Sequence, residues 1–284
     1  MVRVYIQLDT AQIFFDTVGA KLEPGPDSMQ ERATLLVLHG GPGFDHSTLR
    51  PYFDRFADDF QVIYVDHRGS GRSTGDPETW ALDQWADDIA AFCDVLGIQS
   101  PVVFGQSFGG MVAMHYGARH LDGPSKLILS STAAQFHLDE TMKMMRQLGG
   151  DAAAEMARDF FSKPSQARFD AYAKICQPLY SQTDDPNAAG FRNRAIQRPE
   201  VAVHFFGHEM KDMDMRSEVA SITCPTLVLG GALDPVTPPV CSQEIAQAVG
   251  DNATLEMFEG CGHGVHRDDP DGAERVMRAF LAGG

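Results

Sequence analysis

The chain has 284 residues, of which 43% are hydrophobic and 22% are charged, and its formal net charge is −16. This length and apolar content predict one large α/β domain, with or without an insertion, that buries a sizeable core. The negative charge disfavours nucleic acid as a partner because it repels phosphates, and no apolar run in the sequence reaches the length of a membrane span.

The first predicted element is a β-hairpin. The stretches "VRVYIQL" and "AQIFFDTVG" alternate or cluster apolar residues on either side of Asp9 and Thr10, which is typical of paired strands. The stretch "MVRVYIQLDT" is too short and too alternating for a signal peptide. The next segment, "KLEPGPDSMQER", is rich in proline and glycine and predicts a turn region.

Six apolar runs further along the chain predict strands that are buried on both faces of a sheet. They span residues 33–40, 60–69, 101–105, 126–131, 224–231 and 253–260. Stretches with helical spacing lie between or after them, at residues 83–97, 107–120, 238–249 and 269–281. Strands that alternate with helices predict an α/β fold with a mostly parallel, doubly wound sheet.

One segment, residues 132–216, interrupts this alternation. Its pattern is helical and irregular, and it contains seven of the 13 methionines of the chain. We therefore predict a helical insertion between two parts of one α/β core, residues 1–131 and 217–284.

The sequence G-Q-S-F-G surrounds Ser107, where the third buried strand ends and a helix begins. In a G-x-S-x-G turn, glycines let the strand and the helix pack closely while the serine hydroxyl projects at the carboxyl edge of the sheet. The backbone N–H of Phe108 then points to where an oxyanion would form, near the positive end of the helix dipole. Ser107 is the predicted nucleophile.

An acyl oxyanion needs a second hydrogen-bond donor, and the loop "HGGPG" at residues 39–43 offers one. It follows the first buried strand, so that Gly41 can present its N–H to the same edge of the sheet, and Pro42 stiffens the loop. We interpret His39 as a residue that orders this loop, not as the catalytic base.

The predicted base is His263, just after the last buried strand, and the predicted orienting acid is Asp234, just after the strand before it. Ser107, Asp234 and His263 follow in the chain order expected for this type of sheet, each at the carboxyl end of a strand. His266 is the competing base, and a turn aspartate before Pro235 is the alternative interpretation of Asp234.

Residues 66–73, "DHRGSGRS", follow the second buried strand, and we interpret Asp66 and Arg68 as residues that tie loops together near the site. The chain has no GxGxxG after a strand and no GxxxxGK[ST], so the sequence indicates no nucleotide cofactor. The sequence also lacks histidines and cysteines at the spacing of a metal site. We therefore predict no cofactor and no metal.

The five cysteines are scattered, odd in number and without CxxC spacing, which argues against a disulfide framework or a zinc site. They indicate a reducing compartment, and we expect the protein in the cytoplasm. Cys261 lies two residues before His263. We expect alkylation of its thiol to inhibit the protein, although the thiol itself has no predicted catalytic role.

Taken together, the stretches "HGGPG", "DHRGSGRS", "GQSFGG", "GGALD" and "GCGH" resemble the α/β-hydrolase fold superfamily and, within it, the proline iminopeptidase branch of serine peptidases. The resemblance covers nearly the whole chain. It implies a catalytic triad of Ser107, Asp234 and His263, with Gly41 and Phe108 as oxyanion donors. It also implies a helical cap, which matches residues 132–216.

The chain departs from that branch in two respects. Iminopeptidases commonly have a tryptophan after the serine, where this chain has Phe108. They also bind the free amino end of the substrate with glutamates of the cap, and the matching motif is absent here. Glu209 is the candidate for that role, with a solvated charged surface as the alternative. The other acidic candidates in the insertion are Asp184, Asp185, Asp212 and Asp214.

The methionines of the insertion suggest a different kind of substrate. Methionine is flexible and polarizable, so that Met142, Met145 and Met213 are candidates to line a pocket for an acyl chain or a bulky lactone. Ordinary packing between helices is the alternative explanation.

The leading functional prediction is a cofactor-independent serine hydrolase that cleaves a small ester, lactone or amide through an acyl-enzyme, with an ester or lactone favoured. A proline iminopeptidase or related amidase is the first alternative. A lyase or perhydrolase of the same fold, or a ligand-binding receptor, is the alternative from another class. In each case the expected partner is a small molecule, with no nucleic acid and no membrane.

Overall fold

The structure is a computed structural model that describes residues 4–183 and 193–283. Its strands are β1 (Tyr5–Leu8), β2 (Ala11–Val18), β3 (Leu22–Pro24), β4 (Met29–Glu31), β5 (Thr34–Leu38), β6 (Gln61–Val65), β7 (Val102–Gln106), β8 (Lys126–Ser130), β9 (Thr226–Gly231) and β10 (Ala253–Phe258). Its helices are α1 (Leu82–Leu96), α2 (Phe108–Arg119), α3 (Leu138–Ser162), α4 (Gln166–Ile175), α5 (Pro199–Gly207), α6 (Arg216–Val219), α7 (Pro239–Val249), α8 (Val265–Asp268) and α9 (Pro270–Ala282).

Eight strands form one sheet in the order β1, β2, β6, β5, β7, β8, β9, β10. The pairs β1–β2 and β2–β6 are antiparallel, and the remaining neighbours are parallel. Every residue of β5, β7 and β9 is buried, as expected for parallel strands covered by helices on both faces. The predicted α/β fold with a mostly parallel, doubly wound sheet is confirmed.

Two hydrophobic cores lie on the two faces of this sheet, and alternate residues of each strand supply them. In β7, Val103 belongs to the core that α1, α2 and α7 cover, while Phe104 belongs to the core that α9 covers. This arrangement leaves the carboxyl ends of the parallel strands at one edge, where the loops that follow them meet.

The predicted turn region at residues 21–32 contains a short antiparallel strand pair that the sequence did not predict. Leu22 pairs with Glu31 and Pro24 with Met29, and the N–H of Gly25 donates to the carbonyl oxygen of Ser28 at 2.9 Å. The proline- and glycine-rich turn therefore reverses the chain tightly enough for its exposed flanks to pair.

Helices α3 to α5 lie in the segment predicted to be a helical insertion, and α6 begins at the last residue of that segment, Arg216, and ends at Val219, before β9. Helix α3 is broken at Gly150, whose φ is +74°, a left-handed value that glycine adopts without strain. A third hydrophobic cluster joins this segment to Val236, which follows β9. Within the described residues, no helix combines the length and the apolar character of a membrane span.

Candidate active site

Ser107 occupies the turn between β7 and α2, with φ +53° and ψ −119°. This conformation is sparsely populated for a residue with a Cβ atom, and two of the hydrogen bonds that hold it join Ser107 to β8 and the loop after it. The Ser107 N–H donates to the carbonyl oxygen of Ser130 at 3.0 Å, and the Thr132 hydroxyl donates to the carbonyl oxygen of Ser107 at 2.7 Å. Both partners belong to β8 or the loop after it, so the neighbouring strand positions the predicted nucleophile.

The glycines around Ser107 allow backbones to approach each other closely. A Cβ atom at Gly105 would lie 2.4 Å from the carbonyl oxygen of Gly109, and one at Gly109 would lie 2.3 Å from the carbonyl oxygen of Leu38. A Cβ atom at Gly110 would lie 2.6 Å from Cβ of Thr132. These distances leave no room for a side chain, so glycine is required where α2 crosses the strands.

Asp234 and His263 are joined by a buried hydrogen bond at the same edge of the sheet. Nδ1 of His263 lies 2.9 Å from Oδ2 and 3.0 Å from Oδ1 of Asp234. The Asp234 carboxylate also accepts hydrogen bonds from the N–H groups of Val236 and Thr237 and from the Thr237 hydroxyl, at 2.8 to 2.9 Å. These donors fix the carboxylate in one orientation, and it can hold the imidazole with Nδ1 protonated and Nε2 free to accept a proton.

Ser107 and His263 line one cavity, which has an empty volume of about 980 Å³ including its open mouth. Ser107 follows β7, Asp234 follows β9 and His263 follows β10, so the structure brings the three predicted residues to one edge of the sheet.

The two predicted oxyanion donors both belong to backbone next to Ser107. A Cβ atom at Gly40 would lie 3.1 Å from Cβ of Ser107, and Gly41, with φ +68°, lines the same cavity. Phe108 is the first residue of α2, so that its N–H has no acceptor within the helix. Its ring points away into the core, where its centroid lies 4.9 Å from that of Trp85.

His39 orders the loop that contains Gly41. Its Nδ1 lies 3.0 Å from the carbonyl oxygen of Gly40, and its Nε2 accepts the N–H of His67 at 3.2 Å. A neutral ring that is protonated on Nδ1 satisfies both contacts, and burial lowers the pKa of His39 in keeping with that form. The structure therefore agrees with a loop-ordering role for His39.

His266 lies behind the site, buried among the rings of Tyr52, Phe53 and Phe104. Neither of its ring nitrogens has a hydrogen-bond partner within residues 4–183 and 193–283. Burial, reinforced by the positive charge of Arg267, lowers its pKa well below the ordinary value. It does not line the cavity, so the structure does not support it as the competing base.

We expect this buried ring to make the fold sensitive to mild acid. The fold lowers the pKa of His266 below its ordinary value of 6.5. The free energy of unfolding is therefore unaffected by this group above pH 6.5, and it decreases as the pH falls below 6.5, because the unfolded chain then binds a proton that the folded chain does not. The His266→Leu variant should therefore gain stability relative to wild type, by up to about 1.4 kcal/mol per pH unit below 6.5. Urea unfolding of both proteins between pH 5 and 8 tests this, and parallel pH profiles would contradict it.

Asp66 and Arg68 tie loops together, as the sequence predicts. Arg68 forms a buried ion pair with Asp88 of α1 at 2.6 Å, and Asp66 accepts from His46 at 2.7 Å. Burial opposes ionisation of Asp66, but hydrogen bonds from the imidazole and the backbone N–H of His46 lower the pKa of this carboxyl below its ordinary value. These contacts brace the loops after β5 and β6.

Cys261 differs from its sequence-based expectation. Its side chain is buried, and burial raises the pKa of the thiol to about 12. Because the thiolate is the form that alkylating agents attack, the folded protein should resist alkylation at this position. The burial of Cys261 therefore argues against inhibition through this thiol in the native fold.

Comparison with known proteins identifies the family. The model of the alpha/beta hydrolase fold family matches residues 33–270. The chain belongs to this family. A proline iminopeptidase of Clostridium botulinum is 30% identical over 251 residues, which cover 81% of this chain and 83% of that protein. A proline iminopeptidase of Pestalotiopsis fici is 28% identical over 279 residues, which cover 94% and 98% of the two chains.

A solved structure agrees with this assignment at the level of the fold. The proline iminopeptidase of Mycobacterium smegmatis superposes with a TM-score of 0.76 at 21% identity, covering 99% of this chain and 97% of that one. The predicted membership of the α/β-hydrolase superfamily, in its proline iminopeptidase-like branch, is confirmed, and with it the assignment of the chain as a hydrolase.

Six phenylalanine and tyrosine rings that the sequence analysis missed line the cavity of this α/β hydrolase. They are Phe44, Phe160, Phe169, Tyr172, Tyr180 and Phe206. Among the described lining residues there is no carboxylate, and Arg267 is the charged side chain. The adjacent phenylalanines at 160 and 161 are visible in the sequence, but the sequence does not show which of them faces the cavity, because that depends on how the helix packs.

The predicted substrate contacts lie elsewhere. Met142 and Met145 are buried between helices, and Met213, which itself lies within residues 132–216, is buried in the core that α1, α2 and α7 cover. Glu209 accepts a hydrogen bond from the N–H of Leu82 at 2.9 Å, at the first turn of α1. None of these four residues is among the described lining of the cavity, so the structure does not bring them to the substrate space.

The remaining acidic candidates are also accounted for. Asp214 pairs with Arg216 at 2.6 Å on the surface, and Asp212 is exposed. Asp184 and Asp185 lie outside the described residues. No group of three or more histidine, cysteine, aspartate or glutamate side chains within the described ranges is placed to hold a metal ion.

Proposed function

We propose that this α/β hydrolase cleaves a small, neutral ester or lactone with a bulky apolar acyl group, using Ser107, Asp234 and His263 as a catalytic triad. The observation that carries the proposal is the cavity itself. Ser107 and the Asp234-bonded His263 share it, and its other described walls carry six phenylalanine and tyrosine rings and no carboxylate.

In the proposed mechanism, Nε2 of His263 takes the Ser107 proton as the serine oxygen attacks the substrate carbonyl. Asp234 keeps Nδ1 protonated and stabilises the imidazolium. The N–H groups of Gly41 and Phe108 donate to the oxyanion, each contributing a few kcal/mol, roughly, to transition-state stabilisation. His263 then protonates the leaving alcohol, and water, deprotonated by the same histidine, releases the acid and restores Ser107.

We also propose that residues 132–216 act as a cap over a core of residues 1–131 and 217–284. The walls of the cavity support this division. Phe160, Phe169 and Phe206 come from α3, α4 and α5 of the insertion, while Ser107 and His263 come from the core. A cap of this kind would set substrate preference without altering the triad.

A proline iminopeptidase is the second candidate, because two relatives with that name match most of the chain. Binding the charged amino end of a peptide requires a negative partner, since an unpaired ammonium group is costly to bury. The described lining offers Arg267 and aromatic rings instead. This chemistry favours the neutral ester or lactone.

A substrate panel distinguishes the two candidates. Aryl acetate, hexanoate and benzoate esters and an acyl lactone should be cleaved, with kcat/KM highest for the bulky apolar acyl groups. Prolyl and alanyl arylamides with free amino ends should be cleaved slowly or not at all. Faster cleavage of the prolyl amide would establish the iminopeptidase. If no substrate is cleaved and a fluorophosphonate does not label Ser107, the hydrolase mechanism is wrong and a non-hydrolytic role remains.

A further inference from the structure

One carboxylate joins the insertion to the loop that carries His263. Oδ2 of Asp268, the last residue of α8, accepts the N–H of Gly262 at 2.7 Å and the N–H of Gln182 at 3.1 Å. Its Oδ1 accepts the hydroxyl of Ser181 at 2.5 Å. Gly262 immediately precedes His263, and Ser181 and Gln182 belong to the insertion. A single side chain therefore fixes both segments at once.

Tyr180 makes a second connection between the same two segments. Its carbonyl oxygen accepts the N–H of His263 at 2.7 Å, and its ring centroid lies 5.0 Å from that of His263 in an edge-on contact. A Cβ atom at Gly262 would lie 2.4 Å from the Tyr180 carbonyl oxygen, so the two backbones are in close contact. The position of the His263 backbone therefore depends on where residues 180–182 lie.

Asp234 and Asp268 act on different parts of this histidine. Asp234 orients the imidazole through Nδ1, whereas Asp268 holds the backbone on which the ring is mounted. Loss of Asp268 would leave the N–H groups of Gly262 and Gln182 without their acceptor and release the insertion from the loop. A small displacement of a catalytic group lowers the rate steeply, because proton transfer depends on atomic distances.

We propose that Asp268 is a positioning residue for His263, which it holds in place by docking residues 181 and 182 of the insertion against the His263 loop. The inference rests on the proposed role of His263 as the base. It makes the placement of the base depend on the docking of the insertion.

The experiment measures how fast a fluorophosphonate labels Ser107, because this reaction needs the His263 base but no recognition of an acyl group. Asp268→Ala should lower the labelling rate at its high-pH plateau by about 10- to 100-fold. Asp268→Asn should stay within about threefold of wild type. Its amide oxygen can accept from Gly262 and Gln182, and its NH₂ can donate to the Ser181 hydroxyl.

Asp269 provides the matched control. It lies next to Asp268, but its carboxylate accepts the N–H of Gly272 at 2.9 Å at the start of α9, and within the described residues it accepts no hydrogen bond from residues 180–182 or the His263 loop. Asp269→Ala should be less stable than wild type, because α9 loses its N-terminal cap. Its labelling rate should stay within about twofold of wild type. If Asp268→Ala does not fold, Asp268→Ser takes its place, because the shorter side chain loses the same contacts.

Three outcomes would overturn the inference. Equal labelling of Asp268→Ala and Asp269→Ala would show that Asp268 does not position the base. A shift in the pH midpoint with an unchanged plateau, or failure of Asp268→Asn to restore the rate, would indicate an effect of charge alone. If wild type itself is not labelled at Ser107, the proposed function fails, and the inference fails with it.

Discussion

Replacing Ser107 with alanine is expected to lower kcat/KM for the best ester by about 10⁴- to 10⁶-fold while leaving the fold intact. The hydroxyl is the proposed nucleophile, and the hydrogen bonds that hold this residue use its backbone N–H and C=O groups, which alanine retains. Steady-state hydrolysis and circular dichroism of the two proteins measure both parts of the expectation.

Ser107→Gly separates the catalytic role of this residue from its conformation. At φ +53° and ψ −119° a residue with a Cβ atom is strained, and glycine is not. The glycine variant should be as inactive as the alanine variant but more stable, by about 1 kcal/mol or more. Retention of more than about 1% of wild-type activity by either variant would contradict the proposed mechanism.

Replacing Gly109 with alanine is expected to destabilise the protein by more than about 3 kcal/mol, or to prevent folding. The new Cβ atom would lie 2.3 Å from the carbonyl oxygen of Leu38 and 2.6 Å from that of His39. Both obstacles are backbone atoms, one at the end of β5 and one in the loop that contains Gly41. Neither can rotate away as a side chain would. Urea unfolding and the yield of soluble protein measure the effect.

Gly207→Ala is the matched control for this substitution. Gly207 is the last residue of α5, and a Cβ atom built there has no neighbour within 4 Å. The free energy of unfolding should change by less than about 1 kcal/mol, because alanine favours the helix and meets no obstacle. Equal stability of the two variants would show that close approach at Gly109 does not constrain the fold.

Local sequence patterns predicted much of the site. The strand–turn–helix context of Ser107 identified a sharp turn, and the structure has Ser107 between β7 and α2 with a positive φ. Asp234 and His263 were each predicted at the end of a strand, and the structure joins them by a hydrogen bond of 2.9 Å. These predictions needed only the places where strands end along the chain. In a parallel sheet the carboxyl ends of the strands meet at one edge, so residues that follow different strands come together there.

Patterns in the insertion predicted less. Met142 and Glu209 were candidates for substrate contact because of their chemistry, yet one is buried between helices and the other binds the start of α1. The cavity walls are phenylalanines and tyrosines instead. Composition does not specify which face of a helix points into a cavity, because that depends on how helices pack against one another.

The sequence by itself determined the family, the parallel sheet and the three candidate catalytic residues, because buried strands and tight glycine turns constrain residue types locally. Only the tertiary structure decided which side chains line the cavity and which carboxylate, Asp268, connects residues 181 and 182 to the His263 loop. The hydrogen bonds from residues 181 and 182 to Asp268 join positions more than 80 residues apart. They exist only when helices and loops pack in three dimensions, so no local pattern in the chain encodes them.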